Sequence, residues 1–190
     1  MLWLDPVVLL SLVWVAGEMP LIAMRRPTES DAKQADRGSF GLLMAVMYPA
    51  VGLGVWMGFS GIGRLPASLF LPLHYGGAGL IVAGLVIRWT AVRTLGRFFT
   101  VTVTVREGHR VIRDGLYRYV RHPSYAGALL SFVGLAVSFG SWATFLVILV
   151  PVFAALAYRI RVEEAALVQG LGEDYREYQR TTARLIPGVY

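Results

Sequence analysis

Cysteine is absent from the 190-residue chain. A disulfide framework, a thiol nucleophile and a thiolate-ligated metal are therefore all excluded. Histidine is scarce too. Only His74, His109 and His122 occur, and no HExxH pairing is present, so no metal is expected. Charge is thin, with Asp, Glu, Lys and Arg making up 16% of residues, against about a quarter in a soluble domain. What is there instead is apolar: 56% of the chain is hydrophobic, and these residues are gathered into long runs. This pattern predicts an all-α integral membrane protein of one domain, residues 1–190. The net charge is +6. The basic residues flank apolar runs instead of forming a continuous stripe, so no nucleic-acid partner is expected, and the flanking pattern is that of a cytosolic membrane face.

About five transmembrane helices are expected, over about 2–24, 40–59, 67–89, 123–138 and 142–159, each run near the ~20 residues that cross ~30 Å of hydrocarbon. The first run lacks a basic leader and a small-residue cleavage site, so it reads as a retained span and not a signal peptide. The block from Pro123 to Tyr158 is too long for one span. Phe139-Gly140-Ser141 interrupts it, predicting a tight helical hairpin from the last two spans. The tail, 160–190, is expected to be helical until Pro187 and Gly188 stop it. Thr100 to Val105 alternates Thr and Val and reads as a short extended loop at the membrane surface. Of the 18 Lys and Arg residues, 17 fall on one side of this arrangement, Arg64 being the exception. The positive-inside bias makes that side cytosolic and puts the N-terminus outside. Gly52, Gly54, Gly58, Gly76, Gly79 and Gly84 would permit close helix contact. The glycine-rich stretch Gly58 to Gly63 follows an apolar run and not a strand, so it is not a nucleotide loop.

Two polar clusters stand at the mouths of apolar runs, where such residues are costly unless used. The first is Arg121-His122-Pro123-Ser124-Tyr125. Pro123 disfavours helical geometry at His122 and suits the first turn of a helix. A helix starting there offers free N–H groups to an anion, though a plain capped helix with interfacial aromatics fits equally. The second runs from Arg159 to Glu164. Arg159 and Glu163 share a helix face, which by itself better describes a solvated ion pair just past the membrane edge. Glu18 in the first span reads as an interfacial carboxylate sooner than a pocket group, and His74 as interfacial.

Gly108-His109-Arg110-Val111-Ile112-Arg113-Asp114-Gly115-Leu116-Tyr117, continuing to Tyr125, resembles the signature of isoprenylcysteine carboxyl methyltransferases and their prokaryotic relatives. So do Arg159-x-x-x-Glu163-Glu164, Gly172-Glu173-Asp174-Tyr175-x-x-Tyr178 and Arg184-Leu185-Ile186-Pro187. The resemblance covers about residues 88–190. It implies an S-adenosylmethionine-dependent methyltransferase, without metal, that esterifies the carboxylate of a lipophilic acceptor such as a C-terminal isoprenylcysteine. It also implies a cytosolic cofactor pocket built by the 90–122 segment and the C-terminal helices. Cofactor contacts carried over by position are Thr104, His109, Arg110, Val111, Ile112, Tyr117, His122, Pro123, Ser124, Tyr125, Glu163 and Glu164. Arg159 would face the acceptor carboxylate. The implied partners are membrane lipids and an acceptor entering from the bilayer. Phospholipid N-methyltransferases share part of the pattern, so a lipid amine or a small lipophilic thiol is an alternative acceptor. A non-catalytic scaffold or transporter is the alternative outside enzymes.

Overall fold

The computed structural model describes residues 5–24 (side chains through 18), 38–100, 108 and 110–188. Six α-helices are found among them: α1 Pro6–Met24, α2 Ser39–Ser60, α3 Phe70–Leu95, α4 Pro123–Ser138, α5 Trp142–Leu171 and α6 Glu173–Thr181. Among the described residues there are no strands, only two isolated bridges. Among the described residues, three helices are long and apolar enough to cross a membrane, those within Ser39–Ser60, Ala67–Phe98 and Trp142–Leu171. The apolar helices over Pro6–Glu18 and Pro123–Ser138 are shorter. Many large apolar side chains on α1, α2, α3 and α5 are exposed, among them Val13, Trp56, Val86 and Val150. Such a surface suits lipid and not water.

The ends of the helices follow from local chemistry. Asp5 Oδ1 accepts hydrogen bonds from the Val7 and Val8 amides at 2.8 and 3.3 Å, capping α1 ahead of Pro6. Ser141 Oγ does the same for the Thr144 amide at 3.1 Å and starts α5. Pro123 opens α4, with His122 held out of helical geometry before it at φ −124° and ψ 57°. Gly61, at φ 75°, ends α2 with its N–H and that of Ile62 returning to the carbonyls of Gly58 and Met57.

α4 lies chiefly along α3, and α5 along α2. The expected turn at Phe139–Ser141 exists, yet the two helices it joins pack mainly on other neighbours. Glycine explains the first pairing. A Cβ on Gly84 would fall 2.5 Å from the Gly127 carbonyl, and one on Gly77 equally close to that of Gly134. Two glycine pairs one heptad apart thus let α3 and α4 touch backbone to backbone. Of the glycines expected at contacts, Gly54 meets Ile148, Gly58 meets Phe139 and Gly84 meets Gly127 and Ser131, whereas Gly52, Gly76 and Gly79 have open space beside them. The core contains Leu129, Phe132, Ile148, Val152, Leu156 and Ile160, with Trp14 of α1 edge-on to Phe132 at 4.7 Å.

α5 also departs from its expected end near 159. It continues unbroken to Leu171, so Arg159, Glu163 and Glu164 ride on one rigid element that the membrane run itself extends. The expected extended loop falls on residues 101–105, outside the described residues.

Candidate functional site

Both polar clusters converge at one end of the bundle. Glu164 is at the centre of a buried knot. Its Oε1 accepts from Arg121 Nε at 2.9 Å and faces His122 Nε2 at 3.2 Å, while Oε2 meets Arg184 Nη2 at 3.0 Å. Arg121 also donates to the carbonyls of Gln179 and Thr182. Beside it, the amides of Arg121 and His122 donate to the carbonyls of Ala183 and Arg184 at 2.9 and 3.1 Å. The knot therefore ties the start of α4, the middle of α5 and the chain after α6 into one body. A buried carboxylate held by three partners is compensated, and leaving any partner out would strand a charge.

Glu163 points elsewhere. Its Oε2 accepts from the Tyr125 hydroxyl at 2.6 Å, and that hydroxyl accepts from Arg159 Nε at 2.9 Å. Arg159 Nη1 donates to Ser39 Oγ at 3.1 Å, and the guanidinium lies 5.5 Å from the Phe40 ring centre. Arg159 is only 2% exposed. The His122 and Tyr125 rings stack at 5.7 Å. Tyr125 is thus the link between the Glu163 carboxylate and the Arg159 cation.

Two cavities adjoin this link. The first is a cleft between the 95–122 segment and the C-terminal helices. Arg110, Val111, Ile112 and Tyr117 form one wall. His122, Ser124 and Tyr125 contribute from the α4 end, and Arg159 and Glu163 from α5. Tyr175 and Tyr178 of α6 cover it. The Tyr178 hydroxyl donates to the Tyr117 carbonyl at 2.5 Å. Burial pushes this phenol up, against the pull of Arg121 and Arg113, to about 12, so the bond does not titrate near neutral pH. Burial raises the Tyr117 and Tyr175 phenols as well.

The second cavity, about 470 Å³, is largely apolar and runs between α1 and α2 with α4 as its back wall. Phe99, Thr100, Tyr125 and Arg159 line both spaces. Arg159 therefore stands where a cleft of mixed polar and aromatic lining meets a greasy slot.

Most of the residues expected at the site come together here. Pro123 and Glu164 do not line the cleft: Pro123 is buried as the first residue of α4, and both Glu164 oxygens are used within the knot. Thr104 and His109 lie outside the described residues. Glu18 is not a plain interfacial carboxylate. It lines the apolar cavity and pairs with Arg88, whose Nη2 donates to Oε2 at 2.5 Å and whose Nη1 donates to Ser124 Oγ at 2.9 Å. His74, expected to be interfacial, bridges the Ser138 carbonyl at 3.1 Å and Asp5 at 2.9 Å. Sequence reasoning missed Arg88 and Ser39. Glu18 as the one charge in α1, and Arg88 inside the apolar length of α3, were the available signal for their pair, whereas Ser39 offered none.

Residues 77–169 match the isoprenylcysteine carboxyl methyltransferase (ICMT) family. Over 115 residues the chain is 36% identical to protein-S-isoprenylcysteine O-methyltransferase B of Arabidopsis thaliana, covering 60% of this chain and 58% of that protein. It is 31% identical over 142 residues to a probable protein-S-isoprenylcysteine O-methyltransferase of Oryza sativa subsp. japonica, covering 70% of this chain and 74% of the rice protein. The solved structure of the eukaryotic intramembrane Ras methyltransferase ICMT superposes with a TM-score of 0.60 at 26% identity, over 75% of this chain and 52% of that one. The chain thus spans little more than half the length of the Arabidopsis protein and of the solved chain.

Proposed function

Because the chain belongs to the isoprenylcysteine carboxyl methyltransferase family, we propose that it is an S-adenosylmethionine-dependent membrane methyltransferase that esterifies the carboxylate of a lipophilic acceptor, a C-terminal isoprenylcysteine being the leading candidate. The observation that carries this reading is the meeting of two unlike cavities at Tyr125 and Arg159. A water-soluble donor and a greasy acid need separate approaches and one shared boundary, and this boundary carries a buried cation.

The cleft fits the cofactor in its chemistry. Glu163 offers a carboxylate to an ammonium group, His122 and Arg110 offer donors to a carboxylate, and Tyr175 and Tyr178 offer ring faces. Closed, the cleft encloses about 90 Å³, below the ~300–1,000 Å³ of ordinary ligand sites. α6, whose Tyr175 and Tyr178 cover the cleft, therefore shifts aside for entry while the chain after it stays anchored in the knot. When bound, the cofactor supplies an electrophilic methyl group on a sulfonium.

The chain's own residues supply position and environment. Arg159 holds the acceptor carboxylate by charge-assisted hydrogen bonds. Tyr125, bonded to both Arg159 and Glu163, fixes the distance between the two binding ends. Alignment of this kind is a large source of rate enhancement. The reaction joins unlike charges, so exchanging bulk water for fixed dipoles favours it. A carboxylate is already ionised at neutral pH, and no general base is required. An ammonium acceptor would meet Arg159 as a like charge, which disfavours lipid amines; Arg88 is already paired with Glu18. Residues 1–190 act as one methyltransferase domain, with the five apolar helices as its spans, the site end cytosolic and the N-terminus outside.

The test is a labelled-methyl assay on purified protein with prenylcysteine analogues beside phosphatidylethanolamine. The expected product is a base-labile ester of the prenylcysteine. Label found only in a base-stable amine product would overturn the reading.

A further inference from the structure

The apolar cavity has two unlike ends. Glu18, Arg88, Tyr125 and Arg159 make one end polar. Aromatic rings close the other. Phe59, in the last turn of α2, and Phe139, in the turn after α4, both line the cavity and meet edge to face at 5.5 Å. Phe139 is held there by shape. A Cβ on Gly58 would lie 2.3 Å from its ring, so the ring fills a notch on α2 that only glycine leaves open. Between Tyr125 and Phe139 the α4 axis advances by about 21 Å, well beyond the ~15 Å of one leaflet's hydrocarbon.

We propose that the Phe59–Phe139 pair is the stop that sets the length of the acceptor's tail, and that the slot takes a lipophilic acid with its head at Arg159 and its tail end against the two rings. The cation at only one end of the slot fixes the direction of the occupant. The identity of the head group rests on the methyl-transfer reading; the stop itself rests on the shape of the slot.

Phe59 is 65% exposed, so its replacement leaves the fold intact. The experiment measures kcat/KM on geranyl-, farnesyl-, geranylgeranyl- and geranylfarnesyl-cysteine analogues for the parent protein, Phe59→Ala and Phe59→Trp. The parent should show an optimum length, with the next longer homologue about tenfold poorer, the scale on which apolar pockets discriminate. Phe59→Ala should move that optimum to a longer tail and Phe59→Trp to a shorter one. The same series, without methyl donor, is read by thermal stabilisation of the detergent-solubilised protein. A length profile unchanged in both Phe59 variants, by both measurements, overturns the stop. A break in thermal stabilisation that moves with Phe59 while no analogue is methylated upholds the stop and sinks the methyl-transfer reading.

Discussion

Arg159 and Glu163 stand one turn apart on α5 and are joined through Tyr125, yet their variants should fail differently. Arg159→Ala should lower kcat/KM by about 100-fold or more, the scale of losing an aligning contact, while S-adenosylhomocysteine binding is retained. Arg159→Lys keeps the charge but not the fork that grips a carboxylate, so it should recover only part of the loss. Near-normal turnover by the alanine variant would remove Arg159 from the acceptor site. Glu163→Ala should weaken S-adenosylhomocysteine binding roughly 10- to 100-fold, as expected for a charged hydrogen bond. Unchanged affinity by calorimetry would count against that role. Glu164, the next residue, belongs to the knot. Glu164→Gln should cost roughly 3–5 kcal/mol of stability, the scale of breaking a buried ion pair, and should appear as a lowered melting temperature in the absence of any ligand. The sequence made the first pair legible, because a burst of charge ends a run that has none. It did not separate Glu163 from Glu164. Their different fates depend on what approaches from α4 and the tail, and neighbouring positions in a sequence carry no record of that.

Helix α4 owes its place to small residues, which can be tested by substituting on two faces of α3. Gly84→Leu should abolish the close approach to Gly127 and Ser131 and destabilise the protein strongly, since backbone would have to move. Gly79→Leu, with open space around it, should change the melting temperature little. Equal effects at the two positions would contradict the glycine interface between α3 and α4. That glycines are common in these runs is legible in the sequence, but not which face of each helix bears the contact. α3 is apolar nearly all round, so hydrophobic periodicity could not orient it. The hairpin expectation met the same limit. Its turn was readable from Phe139-Gly140-Ser141, whereas the partner each helix prefers is set by complementary surfaces far apart in the chain.

At the scale of the whole molecule, long apolar runs separated by polar segments located the helices well. They did not set where α5 stops, because a helix that leaves the bilayer needs no apolar residues to continue. The distribution of arginine gives the bundle a direction. Asp5, His74 and Ser138 gather at one end, where the 61–65 loop also meets the Gly140–Trp142 turn through the Leu65–Gly140 and Trp142–Gly63 hydrogen bonds. Arg88, Arg121, Arg159 and the tail gather at the other. If the positive-inside bias governs, the second end is cytosolic and the cofactor reaches it from there. The lack of native cysteine makes this simple to examine. Ser60→Cys and Arg180→Cys place single thiols at exposed positions at the two ends. In intact cells a membrane-impermeant maleimide should label the cysteine at position 60, and should label the one at 180 only after the membrane is opened. The reverse order would invert the protein and put its cleft outside, away from an intracellular methyl donor. Labelling of both thiols in intact cells would place the two ends on the same side, which an odd number of spans between positions 60 and 180 does not allow.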